Sequence, residues 1–301
     1  MPPSTKSPSP RVHAALVTVQ LLFSSLAVAA KLVLPYLPGR GFVAFRVLFG
    51  FLLLLAVGPA LGQWQNIRWR NLPPLMFYAV FGVIANQLLF IEGLERSTAT
   101  NAVIIGATIP VFTTGIAVVL RRERATRRKV LGLLLAFVGA LVLVGAGAFE
   151  GGGTRLVGNL LILCNSLSYS IYLVLSPSAL ERYNPRTAIT WIFLFGVIGT
   201  LPFGAASFIT HAGSLPSQTW WVLAYVIIFP TALTYFLNIF ALKYAPSSLV
   251  AMYAYLQPVF GATLAQIFLH ERVGAGSLLG AIPVLMGIWL VAKEPSSQVS
   301  K

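Results

Sequence analysis

Long apolar runs, separated by short polar breaks, dominate the pattern of this sequence. A membrane-spanning α-helix needs about 20 predominantly apolar residues, and the chain contains ten runs of roughly that length. They lie at about 12–34, 41–61, 72–93, 98–120, 130–149, 156–178, 187–209, 218–240, 247–269 and 274–292. The runs are continuous and do not alternate between apolar and polar residues, which excludes a transmembrane β-barrel. The pattern therefore predicts an all-α polytopic membrane protein with ten transmembrane helices.

The composition is that of a protein surrounded by lipid. Of the 301 residues, 57% are apolar and only 9% are charged, whereas a soluble domain has about 25% charged residues. The net charge of +14 does not indicate nucleic acid as a partner, because the basic residues lie between apolar runs and form no stripe. Cys164 is the only cysteine, so neither a disulfide nor a cysteine-based metal site is expected. No cofactor and no metal are predicted.

The distribution of basic residues predicts how the chain crosses the membrane. Lys and Arg are enriched in the cytoplasmic loops of membrane proteins. With the N-terminus in the cytoplasm, the inside segments contain 15 Lys and Arg residues and the outside segments contain 4. We therefore expect an integral protein of the plasma membrane (the inner membrane in a bacterium) with both termini cytoplasmic. Residues 1–11 are expected to be a disordered N-terminus, and residues 293–301 a cytoplasmic tail.

An internal repeat organises the ten predicted helices. The two halves of the sequence align without gaps at a constant offset of 148 residues. The matched pairs include Pro110 with Pro258, Glu123-Arg124 with Glu271-Arg272, Gly132 with Gly280, and Gly139 with Gly287. The offset places span 4 on span 9 and span 5 on span 10. Residues 12–149 and 156–292 are therefore predicted to be two five-helix repeats.

The odd number of helices makes the two repeats insert in opposite orientations. The charges agree, because the loop 121–129 carries six basic residues and its equivalent, 270–276, carries one. Inverted repeats recur in secondary transporters, which place the substrate site near the membrane midplane where the repeats meet. The repeat is the strongest argument from the sequence for transport.

The two repeats also resemble a known family. Residues 99–144 resemble the EamA domain of the drug/metabolite transporter superfamily, and residues 245–292 resemble a second copy. Gln20, Lys31 and Arg46 resemble the opening of the same family. The resemblance implies ten helices in two inverted five-helix repeats, around a central cavity lined mainly by spans 3, 4, 8 and 9. One departure is that many members carry a Trp early in span 1, where this chain has Phe23-Ser24-Ser25.

Polar side chains recur at helical spacing within several predicted spans. Such side chains are costly in lipid and normally face a bundle interior or a cavity. The predicted substrate cavity consists of Asn86, Gln87, Thr108, Tyr235, Asn238, Tyr253 and Gln257. The alternative is that these groups only join helices to one another, as polar residues in membrane helices often do.

Two prolines within the spans are candidates for gating hinges. Pro110 and Pro258 lack the amide hydrogen that would bond one turn back, so the carbonyl groups of Gly106 and Ala254 are expected to be free. A hinge and an ordinary packed kink both fit this pattern.

Three charged residues lie within or near the predicted spans. Lys31 and Arg46 would attract a carboxylate or phosphate on a substrate, unless their side chains simply extend to the outer interface. Glu92, at the outer end of span 3, is the candidate for proton coupling, or else it pairs with one of these basic residues.

These features together favour a secondary transporter over other classes of protein. We expect it to export a small polar organic metabolite, an amino acid or related carboxylate-bearing compound, by alternating access. The sequence does not fix the oligomeric state, and a monomer is compatible with it. The alternatives within transport are an organic-anion or sugar-phosphate exchanger and a multidrug exporter. A membrane-embedded enzyme is the alternative outside transport, but His13, His211 and His270 lie at span ends or in loops, far apart in sequence, and no catalytic motif accompanies them.

Overall fold

The computed structural model describes residues 9–57, 67–122, 126–176, 183–245, 250, 253–271 and 274–292. Within these ranges every regular element is a helix. The predicted disordered N-terminus (apart from residues 9–11), the predicted tail 293–301, and the matched residues Glu123, Arg124 and Arg272 lie outside the described residues.

The first repeat contains five helical segments in chain order. They are α1 (Pro10–Val33), α2 (Gly39–Val57), α3 (Trp69–Arg96), α4 (Ala99–Val119) and α5 (residues 127–151). The second repeat contains α6 (Gly152–Leu175), α7 (Pro185–Ala212), α8 (residues 217–244), α9 (residues 253–269) and α10 (Ala275–Ala292). The order and approximate bounds follow the ten predicted apolar runs.

The junction between α5 and α6 is a single glycine. Gly152 interrupts the helical stretch Arg127–Leu175 with φ of 67° and ψ of −166°. This conformation is open to glycine and strained for residues that carry a Cβ. The chain can therefore turn from the first repeat into the second without a longer loop.

The described helices are long and apolar enough to form a membrane bundle. By length and composition, seven of them qualify as membrane spans, namely α1, α2, α3, α4, α6, α7 and α8. The other three, α5, α9 and α10, occupy the remaining predicted runs, although the first residues of run 247–269 lie outside the described residues. Large apolar side chains are exposed on the surface, among them Ile209 (74% exposed) and Trp221 (79% exposed). The all-α polytopic fold is confirmed.

Helix irregularities recur at equivalent positions of the two repeats. A π-helical turn at Val80–Ile84 in α3 is matched by one at Ile228–Leu233 in α8, and the offset of 148 places Val80 on Ile228. In α4 the helix is interrupted between Gly106 and Ile109, and in α9 the equivalent stretch, Tyr253–Leu256, is a 3-10 helix. Each interruption directly precedes one of the matched prolines, Pro110 or Pro258, as their missing amide hydrogens predict.

The contact between α5 and α10 shows the symmetry most directly. A Cβ on Gly139 of α5 would lie 2.6 Å from the backbone nitrogen of Val284 and 2.9 Å from the carbonyl oxygen of Gly280. A Cβ on Gly287 of α10 would meet the backbone of Gly132 and Ala136. These two sets of neighbours are themselves equivalent at an offset of 148. Reciprocal contacts of this kind place a pseudo-two-fold axis between the repeats, as inverted repeats require.

This contact predicts the effect of adding a single methyl group. Gly139→Ala should lower the stability of the protein by about 1–3 kcal/mol, because the new Cβ meets backbone atoms that cannot rotate away. Thermal unfolding of the purified protein in detergent measures the change. The matched control is Gly115→Ala in α4, where the nearest atom to the new Cβ is 3.9 Å away and the better helix propensity of Ala should leave stability equal or higher. Equal destabilisation by both changes would contradict the close α5–α10 contact.

Candidate functional site

The two π-helical turns supply carbonyl groups to the centre of the bundle. In an ordinary helix every interior carbonyl is used within the helix, whereas irregular turns leave carbonyls available to other partners. Tyr235 of α8 donates its hydroxyl to the carbonyl oxygen of Gly82 in the π-turn of α3, at 3.0 Å. The equivalent carbonyl in α8, that of Pro230, accepts a bond of 3.1 Å from Arg46. The same symmetric feature thus provides acceptors on both sides of the pseudo-two-fold axis.

Arg46 is the centre of this buried network. Its side chain, on α2, is 1% exposed. In addition to the Pro230 carbonyl, its Nε donates to Thr231 Oγ1 at 2.6 Å and its Nη1 donates to Gln87 Oε1. The guanidinium is therefore held inside the bundle by α3 and α8 and does not extend to an interface.

Gln87 and Tyr235 join the two repeats at the axis. Gln87 donates its amide to the hydroxyl of Tyr235 at 3.1 Å, and these two residues are separated by the repeat offset of 148. Two equivalent residues can contact each other only where the axis passes between them. The network of Arg46, Gln87 and Tyr235 consequently lies where the repeats meet.

A cavity of about 60 Å³ adjoins the network. One buried water needs about 10–15 Å³ of such space, so the cavity has room for several water-sized groups. Its polar lining is Arg46, Asn86, Gln87, Asn165, Tyr169 and Gln257, and its apolar lining is Phe23, Leu26, Phe90, Val103, Gly106 and Ile109. It combines one cationic group, several neutral amides and a largely apolar wall.

A smaller chamber of about 10 Å³ lies next to this cavity. The two spaces share Phe23, Ile109, Tyr169 and Gln257. Two hydrogen bonds join residues that line both spaces to residues that line only the chamber. Gln257 donates to Gln20 Oε1 at 2.7 Å, and Asn238 donates to the hydroxyl of Tyr169. The second amide atom of Asn238, Oδ1, is buried and has no partner among the described residues. The chamber has room for about one water molecule, which such a polar atom would bind.

Charged residues cluster at one end of the bundle, which we call the Glu92 end. Glu92 accepts a bond from Arg40 Nε at 3.0 Å and one from Arg96 Nη1 at 2.7 Å. Its carboxylate is thus paired with two guanidinium groups and is absent from the residues that line the cavity and the chamber. Lys31, near the same end, is attracted by Glu271 and Glu95. Neither Lys31 nor Arg46 pairs with Glu92 among the described residues.

The opposite end, which we call the His13 end, is joined by different contacts. His13 of α1 hydrogen-bonds the hydroxyl of Tyr253 in α9. Val12 and Leu16 of α1 pack there with Ala241 of α8. Tyr253 therefore bonds the first turn of α1 and is absent from the residues that line the cavity and the chamber.

The structure gathers some of the predicted site residues and separates others. Arg46, Asn86, Gln87 and Gln257 surround the cavity, Asn238 lines the chamber, and Tyr235 lies behind Gln87. Thr108 is 1% exposed and donates to the carbonyl of Ile105 in the interrupted part of α4. Tyr253, Lys31 and Glu92 lie toward the ends of the bundle.

Several lining residues were not among the predicted site residues. Asn165 and Tyr169 are part of a polar stripe on α6 that also includes Ser168 and Tyr172, and this spacing was the available signal. Phe23 and Phe90 have no comparable signal, since an aromatic residue in a membrane helix can equally face lipid or a neighbouring helix.

Comparison with known proteins agrees with this fold. The model of the EamA-like transporter family matches residues 11–145 and 156–293. An uncharacterized transporter of Archaeoglobus fulgidus is 28% identical over 288 residues, which cover 94% of this chain and 98% of the relative. The uncharacterized transporter YetK of Bacillus subtilis is 24% identical, with 95% and 88% covered. A WAT1-related protein of Arabidopsis thaliana is 26% identical, with 92% and 80% covered.

A solved crystal structure shows the same fold. It superposes with a TM-score of 0.64 at 18% identity and covers 93% of this chain and 96% of that chain. The fold and the family match together define a polytopic helical membrane transporter. The chain belongs to the EamA-like transporter family, within the drug/metabolite transporter superfamily.

The buried network predicts that Arg46 is needed for stability as an arginine. Arg46→Lys should lower the free energy of unfolding by about 2 kcal/mol or more, because an ammonium cannot bond Thr231, Gln87 and Pro230 in their three directions and leaves buried acceptors unpaired. Thermal unfolding in detergent measures the loss. The control is Arg40→Lys, whose side chain is 63% exposed and whose replacement should change stability by less than about 0.5 kcal/mol. A stable Arg46→Lys variant would contradict the network.

Proposed function

We propose that this protein is a secondary transporter that exports a small organic metabolite bearing a carboxylate, such as an amino acid or a related acid. The observation that carries the proposal is a buried guanidinium that lines a cavity.

Arg46 supplies the group that would bind the carboxylate. A guanidinium has five N–H donors, and the described residues take three of them. Since Arg46 lines the cavity, its remaining donors are available to a ligand there. No Asp or Glu is among the residues that line the cavity, so the charge of Arg46 has no acidic neighbour in the wall. An anionic group would supply the missing countercharge, and guanidinium binds carboxylates well.

The rest of the wall suits the remainder of such a molecule. Asn86 and Gln257 offer neutral amide groups that can bond a hydroxyl or an ammonium. Phe23, Phe90 and Val103 provide an apolar surface for a hydrocarbon part. Ligand sites commonly combine a few polar groups with a mainly apolar wall in this way.

Alternating access would follow from the pseudo-two-fold relation of the repeats. Inverted repeats can exchange two mirror-related shapes around a fixed midplane site. The helix interruptions before Pro110 and Pro258 lie beside the cavity, in α4 and α9, and we propose them as the hinges. Their matched positions let either repeat move in the same way.

Export is favoured where the proposed substrate carries a net negative charge, as an organic acid does and a zwitterionic amino acid does not. We propose that both termini are cytoplasmic, as the 15 inside and 4 outside basic residues predict, so that the Glu92 end faces outward. An inside-negative membrane potential drives a net anion outward by about 2.3 kcal/mol per 100 mV and per charge. An acid could therefore leave the cell without a coupling ion.

An exchanger of organic anions or sugar phosphates is the second candidate. The same observation favours it, because guanidinium binds phosphate as well as carboxylate. A sugar-phosphate carrier differs from the first candidate in the ligand that the cavity accepts, and one binding experiment separates these two.

The thermal unfolding temperature of the purified protein should rise in the presence of carboxylate-bearing metabolites. A ligand that binds only the folded state stabilises it, by about 2.7 kcal/mol at a concentration of 100 Kd. The panel contains amino acids, organic acids, sugar phosphates and cationic drugs. Asn86→Ala and Gln257→Ala should reduce the shift, because each removes a polar group from the cavity wall.

The control variant is Thr263→Ala, which removes an exposed hydroxyl from α9 without touching the cavity. It should retain the full shift. A shift with sugar phosphates alone would select the exchanger. A shift with cationic drugs alone, or one unaffected by Asn86→Ala and Gln257→Ala, would overturn the proposed site.

A further inference from the structure

The first turn of α4 is capped by a residue from the other repeat. The first amide groups of a helix have no partner within that helix. Thr98 accepts one bond, from the amide of Asn101 at 3.0 Å. The amides of Ala99 and Thr100 instead donate to the two carboxylate oxygens of Glu271, at 3.0 and 2.9 Å. The hydroxyl of Thr100 adds a third bond to Glu271, at 2.8 Å.

Glu271 reaches this position because α9 ends in a sharp turn. His270, the residue after α9, has a left-handed backbone conformation with φ of 53°. This turn directs the following residue, Glu271, across to the start of α4 at the Glu92 end. The end of one repeat's helix is thereby fastened to the beginning of the other's.

Below this contact, α4 and α9 touch along a seam, defined by Val103 and Gly106 of α4 and Gln257 and Gly261 of α9. The side chain of Val103 occupies the space that a side chain at position 261 would need. A Cβ at Gly106 would lie 3.1 Å from Gln257 Oε1. Val103, Gly106 and Gln257 also line the cavity. The seam therefore forms part of the cavity wall, on the side that leads to the Glu92 end.

We propose that Glu271 is a latch that holds this seam closed. Its carboxylate bonds are charge-assisted and lie at a positive helix terminus, both of which strengthen them. They exist only while the end of α9 lies on the start of α4, since the donors and the acceptor belong to different repeats. Parting the seam to open the cavity toward the Glu92 end breaks all three bonds. Opening toward the His13 end leaves them intact, so the latch favours the state closed at the Glu92 end.

Cysteine labelling measures this opening without requiring a substrate, so it stands apart from the proposed ligand. Cys164 is exposed, so the background is Cys164→Ser. The probes are Leu26→Cys in the cavity and Ala254→Cys in the chamber, both 4% exposed in the native protein. The reagent is a membrane-impermeant methanethiosulfonate, added to intact cells or to inverted vesicles. Tyr36→Cys, which is exposed beside α2, identifies the preparation that presents the Glu92 end.

Glu271→Ala should increase the labelling rate of Leu26→Cys from the Glu92 end by roughly tenfold or more, because even one charge-assisted bond changes an equilibrium by about that factor. Labelling of Ala254→Cys from the His13 end should slow at the same time, since the two open states exclude each other. Glu271→Gln, which keeps one carbonyl oxygen, should give a smaller increase. Thr100→Val, which removes only the third bond, should do likewise.

The matched control is Glu95→Ala. Glu95 lies at the same end and its carboxylate also acts on Lys31. Its hydrogen bond and its ion pair go to Gly39 and Arg96, and neither goes to the first turn of α4. Glu95→Ala should leave both labelling rates within about twofold of the parent. Faster labelling of both probes would show that Glu271 merely stabilises the fold, and unchanged labelling would show that the seam is not held by it. Either result overturns the latch.

Discussion

The guanidinium of Arg46 imposes the constraint on which the rest of the bundle depends. A charged side chain in the interior of a membrane protein costs about 3 kcal/mol even on the most lenient scales, unless the protein supplies partners for it. Arg46 is buried and finds those partners on α3 and α8. One of them is a backbone carbonyl that the π-helical turn of α8 makes available. The irregular turn of α8, in the second repeat, thus supplies an acceptor to the charged side chain of Arg46, in the first repeat.

Most features of the fold occur in both repeats, but the charged residue at its centre occurs in only one. The π-turns, the interruptions before Pro110 and Pro258, and the α5–α10 contact are all repeated at an offset of 148 residues. Arg46 is not repeated, because its equivalent is Leu194. In the proposed mechanism, the repeated features would let the bundle adopt two related shapes, and the single positive charge would give both shapes one chemically distinct site. Transport of an acid by this mechanism needs both properties. The repeats must be able to open the cavity toward either side of the membrane, and the group that binds the acid must stay in place in both states.

The sequence predicts the framework of this molecule better than its centre. Long apolar runs locate the helices, because only helices and closed barrels satisfy the backbone in lipid and continuous apolar runs exclude the barrel. The matched Pro110 and Pro258 locate the two interruptions. The π-turn at Val80–Ile84 was not predictable, since it contains no proline and is held by bonds from Tyr235 and Ser168 on other helices. The polar stripes likewise did not show which side chains contact one another, because those contacts are made between different helices. The hydroxyl of Thr108 donates to a carbonyl of its own helix, and Tyr253 bonds His13. Asn86 and Gln257, in contrast, line the cavity. Periodicity could not separate a buried Arg46 from one that extends to the interface.

The proposed transport depends on binding of the substrate carboxylate to Arg46 inside the bundle. An experimental structure of the protein with a bound carboxylate, chosen from the compounds that stabilise it, tests this most directly. We expect a carboxylate oxygen about 3 Å from the guanidinium of Arg46, with the remainder of the ligand between Asn86, Phe90 and Gln257. A ligand bound at Lys31 or elsewhere at the Glu92 end, with the Arg46 cavity empty, would contradict it.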